Sequence, residues 1–173
     1  MERSFPKKLV LIAPRIWATH AVWYGPKRKF VRGLFPKFIE DVEKIEKELK
    51  LNSNHSFIFR HLSKQCLGLT YPACSKTFID PRRYSYDEVL FTTIHESLHL
   101  KQIQDGKLKW DKKKLSLTWK DKPVDNIIIL TSANKESYNK LPWEQDVIKK
   151  QGKIFIKLFN RFPPSAAGVK KIK

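Results

Sequence analysis

The chain has 173 residues, in which 35 lysines and arginines outnumber 17 aspartates and glutamates, giving a formal net charge of +18. A hydrophobic share of 41% and an aromatic share of 12% exclude a wholly disordered chain, and the length suits one domain. No apolar run reaches the roughly 18 residues that a membrane-spanning helix needs. We therefore expect one cytoplasmic domain over residues 1–173, with no membrane partner.

The N-terminal segment, residues 1–33, mixes aromatic and basic side chains without a clear period. Its apolar run over residues 9–13 is too short for a secretory signal and is interrupted by Pro14. Aromatic residues between cations could stack nucleic-acid bases and hold phosphates, or the segment could pack on the core. We interpret it as a basic, aromatic N-terminal arm.

A helix is predicted over residues 36–50, because apolar residues recur there at spacings of four, three and four. Pro36 suits the start of a helix, and the acidic residues that follow suit its early turns, where the helix dipole favours negative charge. The apolar positions are Phe38, Val42, Ile45 and Leu49.

Three short strands are predicted next. Residues 56–60 are typical of a strand, and residues 67–70 and 76–79 are typical of the two arms of a hairpin around a Tyr-Pro turn. The two cysteines of the chain, Cys66 and Cys74, could bridge this hairpin. We expect free thiols instead, because disulfides are rare in a reducing compartment.

The second predicted helix covers residues 86–104, with Ser85 or Asp87 as its N-cap and Gly106 as its stop. A lysine-rich stretch follows over residues 107–123. We expect either a loop or a β-hairpin that projects from the domain there.

The remaining chain contains one more apolar segment and one more helix. Residues 125–130 are apolar enough for a strand, although a helical turn is an alternative. Pro142 opens the last predicted helix, which reaches about residue 160 on its apolar pattern. Residues 162–173 are expected to form a flexible basic tail.

The second predicted helix contains the sequence HESLH at residues 95–99. Helical residues four apart project about 40° apart around the axis, so His95 and His99 face one side. Two imidazoles so placed could bind one Zn²⁺ ion, and Glu96 is placed to act as a base on a metal-bound water. The apolar surroundings favour this interpretation, because a buried glutamate between two histidines is costly unless it is paired or coordinated.

A catalytic zinc ion usually has three protein ligands, so a third ligand must come from elsewhere in the chain. No histidine follows His99, and among the upstream histidines His61 is the only modest candidate. Glu144 and Asp146, near the start of the last predicted helix, are the carboxylate candidates.

H-E-x-x-H on one helix and a carboxylate on a later helix resemble the gluzincin metallopeptidases, in several of which the ligand glutamate occurs as E-x-x-A-[DN]. Glu144 matches that ligand, Val147 stands at the small position, and Ile148 departs from the Asp or Asn. The segment from Tyr138 to Asp146 also resembles the third-ligand segment of small H-E-x-x-H proteins of phages and bacteria. The resemblance spans residues 55–160, in which only these short segments are specific.

This resemblance implies an α+β, zincin-like single domain, with a small twisted sheet, an active-site helix and a C-terminal third-ligand helix. It implies that His95, His99 and Glu144 hold one Zn²⁺ ion, and that Glu96 takes the proton of the attacking water. Tyr138 is the candidate hydrogen-bond donor to the developing oxyanion.

Two further expectations concern the surroundings of the site. Thr92 or Asp105 could bind the outer nitrogens of the two histidines. A sheet edge near the cleft could bind an extended peptide as an added strand, and residues 66–70 and 76–79 are the candidates for that edge.

The expected function is therefore that of a zinc-dependent metallopeptidase with a protein or peptide substrate. The alternative is a nucleic-acid-associated basic protein, because a charge of +18 raises the local concentration of polyanions. Such a protein would be non-enzymatic, or a protease acting on DNA-bound proteins. The sequence does not indicate an oligomeric state.

Overall fold

The computed structural model describes residues 27–52, 56–59, 62, 67–71, 76–80, 85–111, 116–124 and 135–164. Within these ranges the protein has the predicted α+β composition. In chain order the elements are α1 (Lys27–Leu49), β1 (Ser56–Phe59), β2 (Gly68–Tyr71), β3 (Lys76–Ile79), α2 (Tyr86–Gln104), β4 (Leu108–Asp111), β5 (Ser116–Trp119), β6 (Lys122–Val124), α3 (Lys135–Asn139) and α4 (Pro142–Phe159).

Several predictions fall outside the described residues. They are the N-terminal arm up to residue 26, the third-ligand candidate His61, the two cysteines Cys66 and Cys74, the apolar segment 125–130 and the tail from residue 165. Among the helices that are described, none has both the length and the apolar character needed to cross a membrane.

Helix α1 begins earlier than the sequence pattern indicated. It begins at Lys27, whereas the prediction placed its start at Pro36. Proline lacks an amide hydrogen and usually marks a helix start, but its fixed φ of about −65° is compatible with helix. The helix therefore continues through Pro36 without that backbone hydrogen bond. All four predicted apolar positions of the helix are buried, namely Phe38, Val42, Ile45 and Leu49.

Helix α2 has the predicted bounds because both ends carry local signals. At the N-terminus, the backbone N–H of Glu88 donates to the Ser85 hydroxyl and the Glu88 carboxylate accepts from the Ser85 N–H, which forms a capping box. At the C-terminus, Gly106 has a φ of +69°, which suits glycine. The N–H groups of Gly106 and Lys107 close the end on the carbonyls of Ile103 and Gln102.

The first sheet has the strand order β1-β3-β2. Strand β3 is antiparallel to β2, with Gly68 opposite Ile79, so the predicted hairpin pairing is confirmed. Strand β1 joins the other side of β3 in parallel. Residues 76–79 are therefore central, and their prediction as a sheet edge was wrong, because β1 occupies the second side of β3. Among the described strands, β2 is the edge beside α2.

The lysine-rich stretch after α2 folds as a second sheet, β4-β5-β6, in which neighbouring strands are antiparallel. The hairpin alternative is thus confirmed and extended by one strand. Its buried face packs on the residues around the start of α4, in a cluster of Leu108, Leu117, Trp119, Leu141 and Trp143.

The main core lies between α1, α2, α4 and the first sheet. Helix α4 begins at Pro142, as predicted, and contributes Val147 and Phe155, both fully buried. Phe155 packs edge-on against Phe91 of α2 at a ring-centroid distance of 5.6 Å. This packing holds α4 against α2, the helix that carries the motif.

Candidate metal centre

Helices α2 and α4 bring three candidate ligands together. His95 and His99 lie one turn apart on α2, and Glu144 lies in the first turn of α4. Glu144 is 1% exposed and His99 is 6% exposed, whereas His95 is half-buried. The group therefore has one side that is closer to solvent.

The ligand atoms of these three residues converge. The two imidazole Nε2 atoms are 3.2 Å apart. The Nε2 atom of His95 lies 3.2 Å from Oε2 of Glu144, and that of His99 lies 3.1 Å from Oε1. Together they form a His-His-Glu group that could hold one metal ion.

Two observations test whether such an ion would fit. Both carboxylate oxygens of Glu144 are buried, and although the imidazoles are close, neither oxygen has a hydrogen bond of acceptable geometry. A buried carboxylate that accepts no hydrogen bond is costly unless a positive charge lies beside it, and a metal cation would supply that charge. In addition, ligand atoms bound tetrahedrally at roughly 2.0–2.2 Å are about 3.3 Å apart, close to the separations observed here. The donor set fits a divalent cation.

The charges of Glu144 and His99 stabilise each other. Burial alone raises the pKa of Glu144, but the imidazoles of His95 and His99 outweigh it and hold the pKa at about 2. Burial likewise disfavours a charged His99, yet the neighbouring Glu144 raises the pKa of that imidazole to about 9. Without a metal ion, the centre thus carries an imidazolium-carboxylate pair near neutral pH. A metal ion would have to displace that proton.

The outer nitrogens of the two imidazoles bind glutamines. Nδ1 of His95 lies 2.8 Å from Oε1 of Gln151, and Nδ1 of His99 lies 3.0 Å from Oε1 of Gln102. The sequence prediction assigned this role to Thr92 or Asp105, and the structure gives it to neither. Asp105 instead forms ion pairs with two lysines at the C-terminal end of α2.

Asp146, the other carboxylate candidate for the third ligand, lies outside the converging group. One of its oxygens accepts a hydrogen bond of 2.9 Å from Nε2 of Gln102, and the carboxylate also pairs with Lys150 at 2.7 Å. Asp146 therefore connects to His99 through Gln102, while Glu144 supplies the carboxylate that converges with the two imidazoles. The His61 alternative lies outside the described residues.

Glu96 is 5% exposed and lies against the edge strand β2. Its Oε2 accepts a hydrogen bond of 2.6 Å from the hydroxyl of Thr70. A Cβ atom placed on Gly68 would lie 2.6 Å from both Cγ and Oε1 of Glu96, so only glycine leaves room for this side chain. The strand thereby fixes the position of the carboxylate.

Tyr138, the candidate oxyanion donor, lies on the short helix α3 and is 42% exposed. It is exposed enough to meet a ligand, and its role stays a prediction.

The sequence analysis did not identify the residues that bind the two histidines and Glu96, although the sequence contains weak signals for two of them. Gln102 follows His99 by three positions and Gln151 follows Glu144 by seven, and both spacings return to the same helix face. The roles of Thr70 and Gly68 depend on strand β2 lying beside α2, which no local pattern shows.

Comparisons with protein-family models, with curated proteins and with solved structures gave no match to this chain.

Proposed function

We propose that the protein is a zinc-dependent metallopeptidase, in which His95, His99 and Glu144 hold one Zn²⁺ ion. The observation that carries this proposal is the convergence of the three ligand side chains, whose facing nitrogen and oxygen atoms are 3.1 and 3.2 Å apart. Two imidazoles and one carboxylate form a donor set typical of catalytic zinc sites, which keep a further position open for water or substrate. The same donor set also suits other divalent metals, so the test must identify the bound metal.

When bound, the zinc ion would supply a Lewis acid that polarises a peptide carbonyl and makes water a stronger acid. Glu96 is the proton carrier in this proposal, because its carboxylate follows His95 directly and is held in place by strand β2. Thr70 donates to Oε2 of Glu96 and so holds the carboxylate that would take a proton from water and return it to the leaving amine. Tyr138 is proposed as a donor to the carbonyl oxygen.

Metal content and peptide cleavage test the proposal separately. Protein purified without chelator should contain about one zinc per chain, by analogy with other single-ion sites. Replacing both His95 and His99 with alanine should abolish zinc binding. Full zinc retention in that double variant would overturn the assignment of the ligands.

The cleavage test uses an unstructured protein substrate, such as denatured casein. Glu96→Gln should retain zinc and lose cleavage by a factor of about 100 or more, as expected for loss of a general base. Glu43→Gln, on the exposed face of α1, is the matched control and should cleave like the wild type. Cleavage that survives Glu96→Gln would overturn the role of Glu96.

A nucleic-acid partner is the second proposal, supported by the net charge of +18. Exposed lysines such as Lys149 and Lys153 lie one turn apart on α4, where they could contact phosphates. If phosphates are contacted, the affinity for duplex DNA should fall steeply as salt rises from low to moderate concentration. An affinity that does not change with salt would overturn this proposal. Cleavage of a DNA-bound protein in preference to the same protein alone would join the two functions.

A further inference from the structure

We infer that Gln102 is a positioning residue that fixes which nitrogen of His99 faces the metal centre, and that it does so through its amide group. This inference rests on the proposed metal site. Gln102 is 3% exposed and belongs to α2, three positions after His99. It touches the candidate ligand His99 and, across the helix interface, two groups at the start of α4.

The contacts of Gln102 determine the orientation of its amide. The amide nitrogen donates to the backbone carbonyl of Trp143 at 3.0 Å and to the Asp146 carboxylate at 2.9 Å. Both partners are acceptors only, so the NH₂ group must point at them. The amide oxygen must then point at Nδ1 of His99, at 3.0 Å. In the reverse orientation, the amide oxygen of Gln102 would face the carbonyl of Trp143 and the carboxylate of Asp146, which can only accept hydrogen bonds.

A fixed amide oxygen also fixes the histidine. Because that oxygen can only accept, Nδ1 of His99 must carry a proton, and a neutral imidazole then has its lone pair on Nε2. Nε2 is the atom that lies 3.1 Å from Glu144. Asp146 accepts from Lys150 and from Gln102, and Gln102 in turn accepts from His99. This series of hydrogen bonds therefore orients the lone pair of Nε2 toward the metal centre, as partners of metal-ligating histidines do.

The second glutamine provides a contrast. Oε1 of Gln151 faces Nδ1 of His95 at 2.8 Å, but its amide nitrogen has no hydrogen bond to any residue in the described part of the chain. A glutamate would keep the bond to His95 and would meet no described acceptor with its second oxygen. At position 102 a glutamate would place its second oxygen against the carbonyl of Trp143 and the carboxylate of Asp146. The same substitution should therefore have different effects at the two positions.

The experiment measures the Zn²⁺ dissociation constant by competition with a chromophoric chelator, and the visible spectrum of the Co²⁺ form, on full-length protein. Gln102→Glu should weaken zinc binding by at least about 10-fold, the lower end for outer partners of metal ligands. It should also change the Co²⁺ spectrum. Gln151→Glu should bind zinc as tightly as the wild type or more tightly.

A matched control and a rescue separate positioning from general damage. Gln104 on the same helix also clamps two backbone groups, accepting from the N–H of Asn52 and donating to the carbonyl of Lys50, but it lies away from the site. Gln104→Glu should leave the zinc affinity within about twofold, because it touches no ligand partner. In the double variant Gln102→Glu/Asp146→Asn, the introduced amide at position 146 can donate, so part of the lost affinity should return.

The outcomes are distinct. Zinc binding by Gln102→Glu that equals the wild type overturns the inference alone, as does an equal loss in Gln104→Glu or a double variant no tighter than Gln102→Glu. A wild-type protein that binds no Zn²⁺ or Co²⁺ overturns the proposed function together with the inference. Circular dichroism of the metal-free variants shows whether each one is folded before its affinity is interpreted.

Discussion

At the scale of single residues, the most informative side chain is Glu144. Carboxylates are rarely found fully buried without partners, and this one is 1% exposed with two imidazole nitrogens within 3.2 Å. Such an arrangement is unfavourable as a purely structural feature of a helix interface, because an apolar residue would fill the space without a desolvation cost. The proposed metal-binding role would account for its presence.

The first prediction separates the two carboxylates at the start of α4. Glu144→Gln should weaken zinc binding by more than about 100-fold, because a ligand is lost, whereas Asp146→Asn should weaken it by about 10-fold through Gln102. Competition with a chelator measures both affinities. A larger loss in Asp146→Asn than in Glu144→Gln would restore Asp146 as the ligand.

The second prediction concerns Gly68. Gly68→Ala places a Cβ atom 2.6 Å from the Glu96 side chain, which must move, so peptide cleavage should fall by about 10-fold or more while zinc is retained. Gly152→Ala is the matched control, because a Cβ atom there meets nothing within 4 Å. It should retain activity and stabilise α4 by about 0.5–1 kcal/mol in urea unfolding. Unchanged cleavage in Gly68→Ala would contradict the close fit between β2 and the base.

At the scale of elements, α2 shows how local signals can determine a helix. Its cap at Ser85 and its stop at Gly106 are both encoded within a few residues, and the predicted bounds are the observed ones. The predicted start of α1 was wrong because Pro36, a residue that usually marks a helix start, lies inside the helix, with which its fixed φ is compatible. The central position of β3 could not be predicted, since strand order depends on a parallel partner 20 residues away in sequence.

The candidate site divides in the same way. His95, Glu96 and His99 follow from one helical period, and Glu144 required the resemblance to a two-helix ligand pattern. Their glutamine partners depend on how α2 and α4 face each other, so sequence reasoning chose the wrong residues for that role. Pairwise contacts between distant elements were the missing information.

The third prediction tests the cap of α2. Ser85→Ala removes the hydroxyl that accepts from the Glu88 N–H, and should lower the free energy of unfolding by about 1 kcal/mol. Urea unfolding measures the change. Ser85 lies at the start of α2, away from the candidate ligands His95 and His99. The zinc affinity of the folded protein should therefore stay within about twofold of wild type, as for changes distant from a ligand. A large loss of zinc affinity would mean that the helix shifts as a unit.

At the scale of the whole molecule, helices α1 and α2 are joined through one buried charge. Asp41 is fully buried and binds Lys37, Lys44 and the hydroxyl of Tyr86 at 3.0, 2.8 and 2.7 Å. Burial raises its pKa, but the two lysines and the tyrosine together outweigh burial and lower the pKa below the ordinary 3.8. The folded protein therefore holds this proton less tightly than the unfolded chain.

The fourth prediction follows from that direction. The stabilisation by ionised Asp41 is complete above pH 3.8 and is lost as the pH falls toward the lower pKa of the folded state. Asp41→Asn should therefore destabilise the protein by about 1–3 kcal/mol near neutral pH, and the difference from wild type should shrink in acid. Urea unfolding at several pH values measures it. Asp121→Asn, on an exposed aspartate, is the control, and a difference for Asp41→Asn that is constant with pH would contradict the prediction.

The contact between His99 and Glu144 would couple metal binding to folding. These residues are 45 positions apart, and the whole second sheet lies between them. An ion held by both would bind the folded chain and not the unfolded one, because in the unfolded chain the two residues would first have to be brought together across that long loop. At a free zinc concentration about 100 times the dissociation constant, the free energy of unfolding should rise by about 2.7 kcal/mol, and a chelator should reverse the gain. A melting curve measured with and without zinc would then show how far the ion favours the folded chain over the unfolded one.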